Sequence, residues 1–458
     1  MATIIEQEPL YNPLPVGQQI IFTVSNSLVS SHYNVKFIAE VYMSQTPPNL
    51  AVTTDLIGTF KTTPNTVGVG IFDLSSVVEN HVKADNISPL CTYKTVIKDT
   101  APIHLIDKLS ANKNSMKYLV IKFNMEGSLT QGGIPEILQN QNETSDQYKI
   151  FNGYLKYTDK LNIEDNDFGF PVGSFSSTPI QLGGLTASFL TNAPATQYAN
   201  IEDYGTVGWL APDYVPNFDH VTFTYYSSTG GSLGTEDVDT FLTSTSNLQY
   251  HLGYLGCYPA NLRGWSSTFQ ALVTAGTIQG GYYTIQAFSS VPDAASKLYT
   301  INVNCPDLRN YESIRLAWLN QWGAWDYYTF TKKSTRSLSA QGSTYTQLEG
   351  TWNESTFKLN GYRGGKKAFR VNATEKIKMN TDFVNESESE WFEELINSPE
   401  VYLLDGFQTD SAFALLNTYV TPVRLTTSSY TRKTIANDKL MQYTFEVEKS
   451  KTLRTQAI

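Results

Sequence analysis

The chain has 458 residues and a net charge of −10, with only 17% charged residues but 13% aromatic residues. This balance excludes an intrinsically disordered chain, which needs high charge and few aromatic residues. Residues 161–262 contain no Lys or Arg, which excludes a nucleic-acid-binding role for that segment because phosphates must be neutralised by basic side chains.

The sequence also lacks the usual signals for secretion, membrane insertion and disulfide bonding. No basic head followed by an apolar run opens the chain, so we expect no signal peptide, and no run of 18 apolar residues predicts a membrane span. The three cysteines, Cys91, Cys257 and Cys305, are too sparse for a disulfide framework or a thiolate zinc site. We expect folding in a reducing cytoplasm and no cofactor.

Alternation of apolar and polar residues dominates the chain and predicts half-buried antiparallel strands. In residues 35–43, for example, Val35, Phe37 and Val41 share one face with other apolar residues. The same pattern recurs in residues 20–24, 119–123, 221–225, 299–305, 369–379 and 441–447.

Helical signals are few. The segment "DLSSVVENHV" predicts a short helix capped by Asp73, and "NESESEWFEELINSP" predicts a longer one. In the second segment Asn385 is the expected cap, Glu388 stands at the capping-box position, and Pro399 ends the helix. The following "EVYLL" predicts a strand.

These elements predict a mainly β fold, with tandem β-sandwich-like domains and a C-terminal α+β region. Four parts are expected in chain order, and their limits follow the changes in composition. They are an N-terminal β-sandwich at 1–127, an irregular insertion or linker region at 128–205, a second β-domain at 206–310, and a C-terminal α+β assembly domain at 311–458.

Two motifs are weak candidates for chemistry. The string "GGSLG" around Ser232 matches a nucleophile elbow, but its turn-forming neighbours favour a hairpin loop instead. The acidic clusters at 164–169 and 235–239 suit Ca²⁺ by ligand type but lack EF-hand spacing, so we interpret them as solvated loops. We therefore predict neither an enzyme nor a metal site.

Aromatic residues are concentrated in "LAWLNQWGAWDYYTF", residues 316–330. One interpretation is core packing, since aromatic rings bury large areas. The other is a seam between assembled proteins, since Trp and Tyr anchor interfaces. The candidate interface residues are Trp318, Trp322, Trp325, Tyr327 and Tyr328.

A basic cluster follows in "GYRGGKKAFR". Its spacing does not match a P-loop. It is either a solvated hairpin tip or a cationic patch that docks on the acidic face of a neighbouring subunit, with residues 161–262 as a candidate for that face. The residues concerned are Arg363, Lys366, Lys367 and Arg370.

Segments at both ends of the chain resemble virion structural proteins of tailed bacteriophages that infect Bacteroidota, including crAss-like phages. The N-terminal part of the likeness consists of "YNPL", "VKFIAEVYM" and "GVGIFDLSSVVENHV". The C-terminal part consists of the aromatic run, "EWFEELINSPEVYLL" and "TPVRLTTSSYTRKTIANDKLMQYTFEVEKS". The resemblance implies a β-rich tail, baseplate or neck protein that forms rings and has no catalytic residues.

Two functions are therefore expected. The first is a non-enzymatic virion protein that forms a ring or collar with copies of itself and contacts neighbouring tail or neck proteins. It would be made in the host cytoplasm and reside in the virion, with no direct contact to nucleic acid or membrane. The alternative is a carbohydrate- or receptor-binding β-sandwich adhesin of the tail tip, in which Trp rings stack on sugars.

Overall fold

The computed structural model describes residues 3–9, 14–88, 92–93, 96–97, 101–106, 108–112, 114–154, 189–210, 220–239, 252–288, 296–304, 311–405, 419–431, 441–451 and 453–454. The chain is 47% strand and 13% helix, which confirms the predicted mainly β fold. It divides into two compact units. The first comprises Met1–Cys305 and Leu319–Asp326, and the second comprises Pro306–Trp318 and Tyr327–Ile458.

In the described part of the first unit lie the strands up to residue 303 and the helices α1 (Ser75–Val78), α2 (Pro259–Trp265) and α3 (Ser267–Thr274). Short 3-10 turns lie at Ser27–Ser30, Thr53–Asp55, Glu79–His81 and Ile103–Leu105. The strands are β1 (Ile4–Gln7), β2 (Leu14–Pro15), β3 (Ile21–Ser25), β4 (Tyr33–Ser44), β5 (Leu56–Thr62), β6 (Val69–Asp73), β7 (Ile87–Ser88), β8 (Thr92–Tyr93), β9 (Val96–Ile97), β10 (Ala101–Pro102), β11 (Leu109–Asn112), β12 (Met116–Ser128), β13 (Glu136–Ile137), β14 (Glu143–Thr144), β15 (Tyr148–Phe151), β16 (Thr196–Ala199), β17 (Thr206–Leu210), β18 (His220–Tyr226), β19 (Ser232–Asp239), β20 (Leu252–Gly256), β21 (Tyr282–Phe288) and β22 (Tyr299–Val303).

Two sheets at the start of the first unit share one hydrophobic core. A seven-stranded sheet has the order β2-β15-β12-β4-β5, with β13 and β14 also pairing with β12, and a three-stranded sheet has the order β1-β3-β6. Phe22 of β3 lies 5.6 Å from Phe123 of β12, measured between ring centroids. The alternating apolar residues of β4 and β12 line this core, as their period of two requires.

This sheet continues past residue 127, because β13 to β15 at residues 136–151 pair with β12. The segment predicted as a linker therefore contributes strands to the N-terminal sheet in its first part. Residues 155–188 of that segment lie outside the described residues. The division into four domains stays a prediction.

The rest of the first unit is built on a five-stranded sheet of order β16-β22-β21-β18-β19 and a three-stranded sheet of order β11-β20-β17. Helices α2 and α3 pack rings against the five-stranded sheet: Trp265 lies 5.6 Å from Phe223, and Phe269 lies 5.6 Å from Tyr225. The "GGSLG" string lies in the β18–β19 hairpin, where Gly230 has a φ of 83°, which confirms the hairpin interpretation. Two-stranded pairs β10-β7 and β8-β9 complete the described sheets.

The second unit is one large sheet covered by a helix. Its order is β24-β23-β27-β28-β29-β26-β25, and β30 also pairs with β26. Helix α4 (Glu386–Asn397) covers the sheet and begins with the predicted capping box of Asn385 and Glu388. The strands are β23 (Ile314–Leu319), β24 (Trp325–Phe330), β25 (Thr335–Gln347), β26 (Gly365–Asn380), β27 (Val401–Leu404), β28 (Val420–Leu425), β29 (Thr444–Lys449) and β30 (Leu453–Arg454).

Candidate interaction surface

The tryptophans at the turn between β23 and β24 are buried within the first unit. Trp325 donates its indole N–H to the carbonyl oxygen of Asp85 at 3.0 Å, and its ring meets the edge of His104 at 4.7 Å. Trp322 donates its indole N–H to Asn192 Oδ1 at 3.0 Å. Both rings therefore have their polar atoms satisfied inside the fold, as buried tryptophans usually do.

The turn itself is tightly packed. Gly323 has a φ of 75°, and a Cβ at this position would lie 2.2 Å from the carbonyl oxygen of Asn152. Asn320 Oδ1 accepts from the backbone N–H groups of Trp322 at 3.0 Å and Ala324 at 3.1 Å. The glycine is thus required both by the backbone conformation and by the close approach of a second chain segment.

Asp85 is a fully buried carboxylate near this turn. Its oxygens accept from Ser115 Oγ at 2.7 Å and from the backbone N–H of Asn114 at 3.2 Å. Burial raises the pKa of Asp85 to about 6, and these hydrogen bonds offset part of that rise. The buried carboxyl group of Asp85 therefore has a pKa above the usual value for aspartate.

The remaining candidates of the aromatic run belong to the second unit. Trp318 is fully buried, and its ring lies 4.9 Å from the ring of Trp391 on α4. Tyr328 is half-buried, 4.9 Å from Phe392 with the rings edge to face, and burial raises its pKa. The guanidinium of Arg315 lies 5.3 Å from the centroid of the buried Tyr327 ring.

The aromatic run is therefore mainly interior. Trp318, Trp322, Trp325 and Tyr327 are buried, and the partners named above lie in the same unit as each of them. These contacts support the core-packing interpretation of the run. As a candidate interface the run presents little surface, because only Tyr328 is partly accessible.

The basic cluster has a different setting. It lies on a long β-hairpin, here called the arm, which comprises residues 335–380 and consists of β25, the loop 348–364 and β26. The strands pair from Thr335 opposite Lys378 to Gln347 opposite Gly365. β25 is the edge strand of the sheet, and among the described strands β26 has no other partner before Asn372.

The base of the arm is held by ion pairs. Arg336 pairs with Glu312 and, at 2.8 Å, with Glu375. Lys449 on the neighbouring strand pairs with Glu375 at 2.7 Å. The hydrogen bond to Glu312 is the main cause that raises the pKa of Arg336, and the Lys449 bond is the main cause that lowers the pKa of Glu375. These partly exposed groups form a network, which orders the base better than isolated pairs do.

The distal part of the arm exposes large apolar side chains. Trp352 is 65% exposed, Tyr362 is 75% exposed and Phe369 is 62% exposed. Large exposed apolar side chains of this kind are typical of interaction surfaces, so the arm is a candidate for one. The other large apolar side chains exposed on the arm are Leu338, Leu348, Phe357 and Leu359.

The predicted basic residues lie among these rings. Lys366 and Arg370 are exposed on β26, and neither forms an ion pair with any residue that the structure describes. Lys367 donates to the carbonyl oxygen of Tyr362 at 3.4 Å, and the guanidinium of Arg363 lies 5.9 Å from the Tyr362 ring centroid. The loop of the arm and the adjoining start of β26, here called the tip, thus combine positive charge with aromatic surface.

The loop of the arm has internal order. Thr351 is buried, and its hydroxyl donates to the carbonyl oxygen of Thr356 and accepts from the backbone N–H of Lys358, both at 2.9 Å. Trp352 and Phe357 pack edge to face at 5.5 Å. The rings of Trp352 and Phe357 are therefore supported by contacts within the loop itself.

The sequence indicated the basic cluster but missed the exposed aromatic residues around it. The available signal was the interleaving of Lys and Arg with Tyr and Phe in 357–370, which differs from the almost uncharged run at 316–330. Of the two acidic clusters, 164–169 lies outside the described residues, and 235–239 lies on β19. Within the described ranges no group of three or more His, Cys, Asp or Glu is placed to hold a metal ion.

Among the helices in the described part of the chain, none is long and apolar enough to cross a membrane. No family model and no curated protein matches the sequence.

Two solved structures show a distant likeness. Trypsin-activated alpha-2-macroglobulin from Escherichia coli is 8% identical with a TM-score of 0.18, over 83% of this chain and 26% of that one. A mutant of Salmonella alpha-2-macroglobulin is 8% identical with a TM-score of 0.15, over 100% of this chain and 34% of that one. The chain spans about a third or less of the length of these proteins, and the TM-scores are too low to indicate a shared fold.

Proposed function

We propose that the chain is a non-enzymatic structural protein that assembles through its arm, and that it is a building block of the tail, baseplate or neck of a tailed phage. The observation that carries the assembly role is the solvent exposure of four large rings, Trp352, Phe357, Tyr362 and Phe369, on the same hairpin as the basic residues. In this role the protein forms a ring or collar with copies of itself and contacts neighbouring virion proteins.

The composition of the arm fits an interface. Trp, Tyr and Arg are the residue types that dominate the binding energy of protein contacts. Because Thr351 and the packed pair of Trp352 and Phe357 already order the loop, little conformational freedom is lost on binding. The ion pairs of Arg336 hold the base while the tip remains exposed.

The phage assignment is supported by the resemblance of the N- and C-terminal segments to virion proteins of phages that infect Bacteroidota. The mainly β fold is compatible with it, though many unrelated proteins share such folds. Under this proposal the protein is made in the host cytoplasm and incorporated into the virion.

Replacement of loop 348–364 by Asn-Gly tests the assembly role. Gln347 and Gly365 face each other across the hairpin, so a two-residue turn closes the shortened arm. We expect the parent chain to form rings and the shortened chain to be a folded monomer. Native mass spectrometry and negative-stain imaging measure this, with circular dichroism as the folding control. Rings of the shortened chain, or a monomeric parent, would contradict the role.

The exposed Trp352 also favours the alternative of a carbohydrate-binding adhesin, because an accessible indole face stacks on sugar rings. This alternative predicts that the isolated chain binds sugar without assembling into a ring. A glycan-array signal from a chain that stays monomeric, lost in Trp352→Ala, would favour the alternative over the assembly role.

A further inference from the structure

The chain contains two Asn-Gly pairs, Asn152-Gly153 and Asn360-Gly361, and their surroundings differ. In an Asn-Gly pair the backbone nitrogen of the glycine readily attacks the asparagine side chain, because glycine has no Cβ to hinder the approach. The attack requires that this nitrogen is free of other bonds and that the backbone can rotate. The structure therefore indicates which of the two pairs can react.

The first pair is held in the interior of the first unit. The backbone N–H of Asn152 donates to the carbonyl oxygen of Ser115 at 2.8 Å. That of Gly153 donates to the carbonyl oxygen of Phe151 at 2.9 Å. A Cβ at Gly153 would lie 2.2 Å from the ring of Phe151 and 2.6 Å from the carbonyl oxygen of Gln321. The nitrogen of Gly153 is therefore not free to turn toward the Asn152 side chain, because close packing fixes the backbone on both sides.

The second pair lies in the loop of the arm and has no such restraint. Gly361 is exposed, and a Cβ added to it would have no heavy atom within 4 Å. Its backbone N–H forms no hydrogen bond with any residue that the structure describes. Asn360 is half-buried, and its carbonyl oxygen accepts from the backbone N–H of Arg363 at 2.9 Å. The attacking nitrogen and the space that the reaction needs are thus both available here.

We propose that Asn360 is a site of spontaneous deamidation, and that this modification weakens assembly through the tip. The backbone nitrogen of Gly361 attacks the side-chain carbonyl carbon of Asn360, and a succinimide ring closes. The bond from that carbon to the side-chain nitrogen breaks, and this nitrogen leaves as ammonia with the proton of the Gly361 amide. Water then opens the ring at either carbonyl, which gives aspartate or isoaspartate. Water is the only co-reactant.

The effect on assembly comes from charge. Either product carries a carboxylate, so position 360 changes from neutral to negative at neutral pH. The cations close by are Arg363, three residues later, and Lys367, whose Nζ lies 3.4 Å from the carbonyl oxygen of Tyr362. The whole chain has a net charge of −10, so positive charge at the tip attracts an arriving copy, and a carboxylate there reduces the attraction. This effect rests on the proposed assembly role, whereas the deamidation does not.

Peptide mapping by mass spectrometry tests the site. The purified parent chain is incubated at mildly alkaline pH, which favours attack by the backbone nitrogen, and is sampled over time. We expect the mass increase of amide-to-acid conversion in the peptide that contains Asn360 and not in the peptide that contains Asn152. Gly361→Ala fits the open space at this position and is expected to slow conversion at Asn360 severalfold. Conversion at neither site, at Asn152 alone or at both sites equally would overturn the assignment.

A second set of samples tests the effect on assembly. Asn360→Asp carries the charge of the modified chain, and Asn142→Asp adds the same charge at an exposed position outside the arm. We expect Asn360→Asp and aged parent chain to self-associate severalfold more weakly than fresh parent chain, and Asn142→Asp to associate like the fresh parent. Aged Gly361→Ala should associate like fresh Gly361→Ala. Analytical ultracentrifugation measures association, and circular dichroism checks that each variant is folded.

The outcomes separate this inference from the assembly role. If the parent assembles and Asn360 converts, but aged parent and Asn360→Asp assemble like fresh parent, the effect on assembly is wrong and the assembly role stands. If Asn360 does not convert, the modification site is wrong in either oligomeric state of the parent. If fresh parent is monomeric, the assembly role and the effect on assembly are both overturned, and the mass measurement alone decides the site.

Discussion

The aromatic run at 316–330 and the arm at 335–380 follow each other in the chain, yet their rings have opposite environments. Trp318 is fully buried against Trp391 and Phe392 of α4, whereas Trp352 is 65% exposed and packs against Phe357 of its own loop. The run contains six Trp, Tyr and Phe residues and the arm contains five, three of them in its loop. The presence of aromatic residues therefore does not decide burial, and the elements that pack beside them do.

The strand β26 shows this within a single element. Its C-terminal part pairs with β29, and there Ile377 and Met379 are fully buried. Its N-terminal part has β25 as its single partner among the strands that the structure describes, and there Phe369 is 62% exposed. Apolar and polar residues alternate in both parts of β26. The apolar side chains are buried only in the part that has a paired strand on each side.

The largest change in the free energy of unfolding is expected at Trp318, and the same substitution at Trp352 is its comparison. Trp318→Ala removes a fully buried ring and leaves a cavity against Trp391, so we expect a loss of about 3–5 kcal/mol in the free energy of unfolding. Urea denaturation followed by circular dichroism measures it.

Trp352→Ala is the matched change on the arm. Because the ring is mostly in water, we expect the free energy of unfolding to change by no more than about 0.5 kcal/mol, while self-association weakens. The comparison fails if Trp352→Ala destabilises the fold as much as Trp318→Ala does.

A smaller effect concerns pH. The pKa of Asp85 is raised by burial from 3.8 to about 6, so its contribution to stability is fully present below pH 3.8 and is lost as the pH rises through about 6. At about 1.4 kcal/mol per pKa unit, the loss is about 3 kcal/mol as an upper value. We expect Asp85→Asn, which cannot ionise, to show a smaller decline in the free energy of unfolding between pH 4 and 8.

The control for Asp85 lies on the arm, where Glu354 is exposed. Glu354→Gln should leave the pH dependence of unfolding as it is in the parent. The interpretation of Asp85 would be wrong if Asp85→Asn and the parent showed parallel curves between pH 4 and 8.

The smallest effect tests the helix that covers the buried rings. Asn385→Ala removes the side chain that accepts from the backbone N–H of Glu388, so we expect a loss of about 1 kcal/mol in the free energy of unfolding. Asn353→Ala on the exposed loop is the control and should cost almost nothing. Equal losses in the two variants would show that the cap does not stabilise the helix.

The local features were predictable from the sequence. The capping box of Asn385 and Glu388, the strand after Pro399 and the alternation in β4 and β12 depend on neighbours a few residues away. The environments of Trp318 and Trp352 were not predictable in this way, because they depend on which strands pair and where a helix lies. No residue pattern within 316–330 or 348–364 encodes those long-range partners.

The exposure of Trp352 has a practical consequence. The seven tryptophans include Trp209, Trp318, Trp322, Trp325 and Trp391, which are all buried, and Trp265, which is partly buried. A water-soluble quencher such as iodide therefore quenches the fluorescence of Trp352 more strongly than that of the other tryptophans. A partner bound to the loop of the arm would shield Trp352 from the quencher. The intrinsic fluorescence of the native chain therefore reports whether this loop is bound, without an added label.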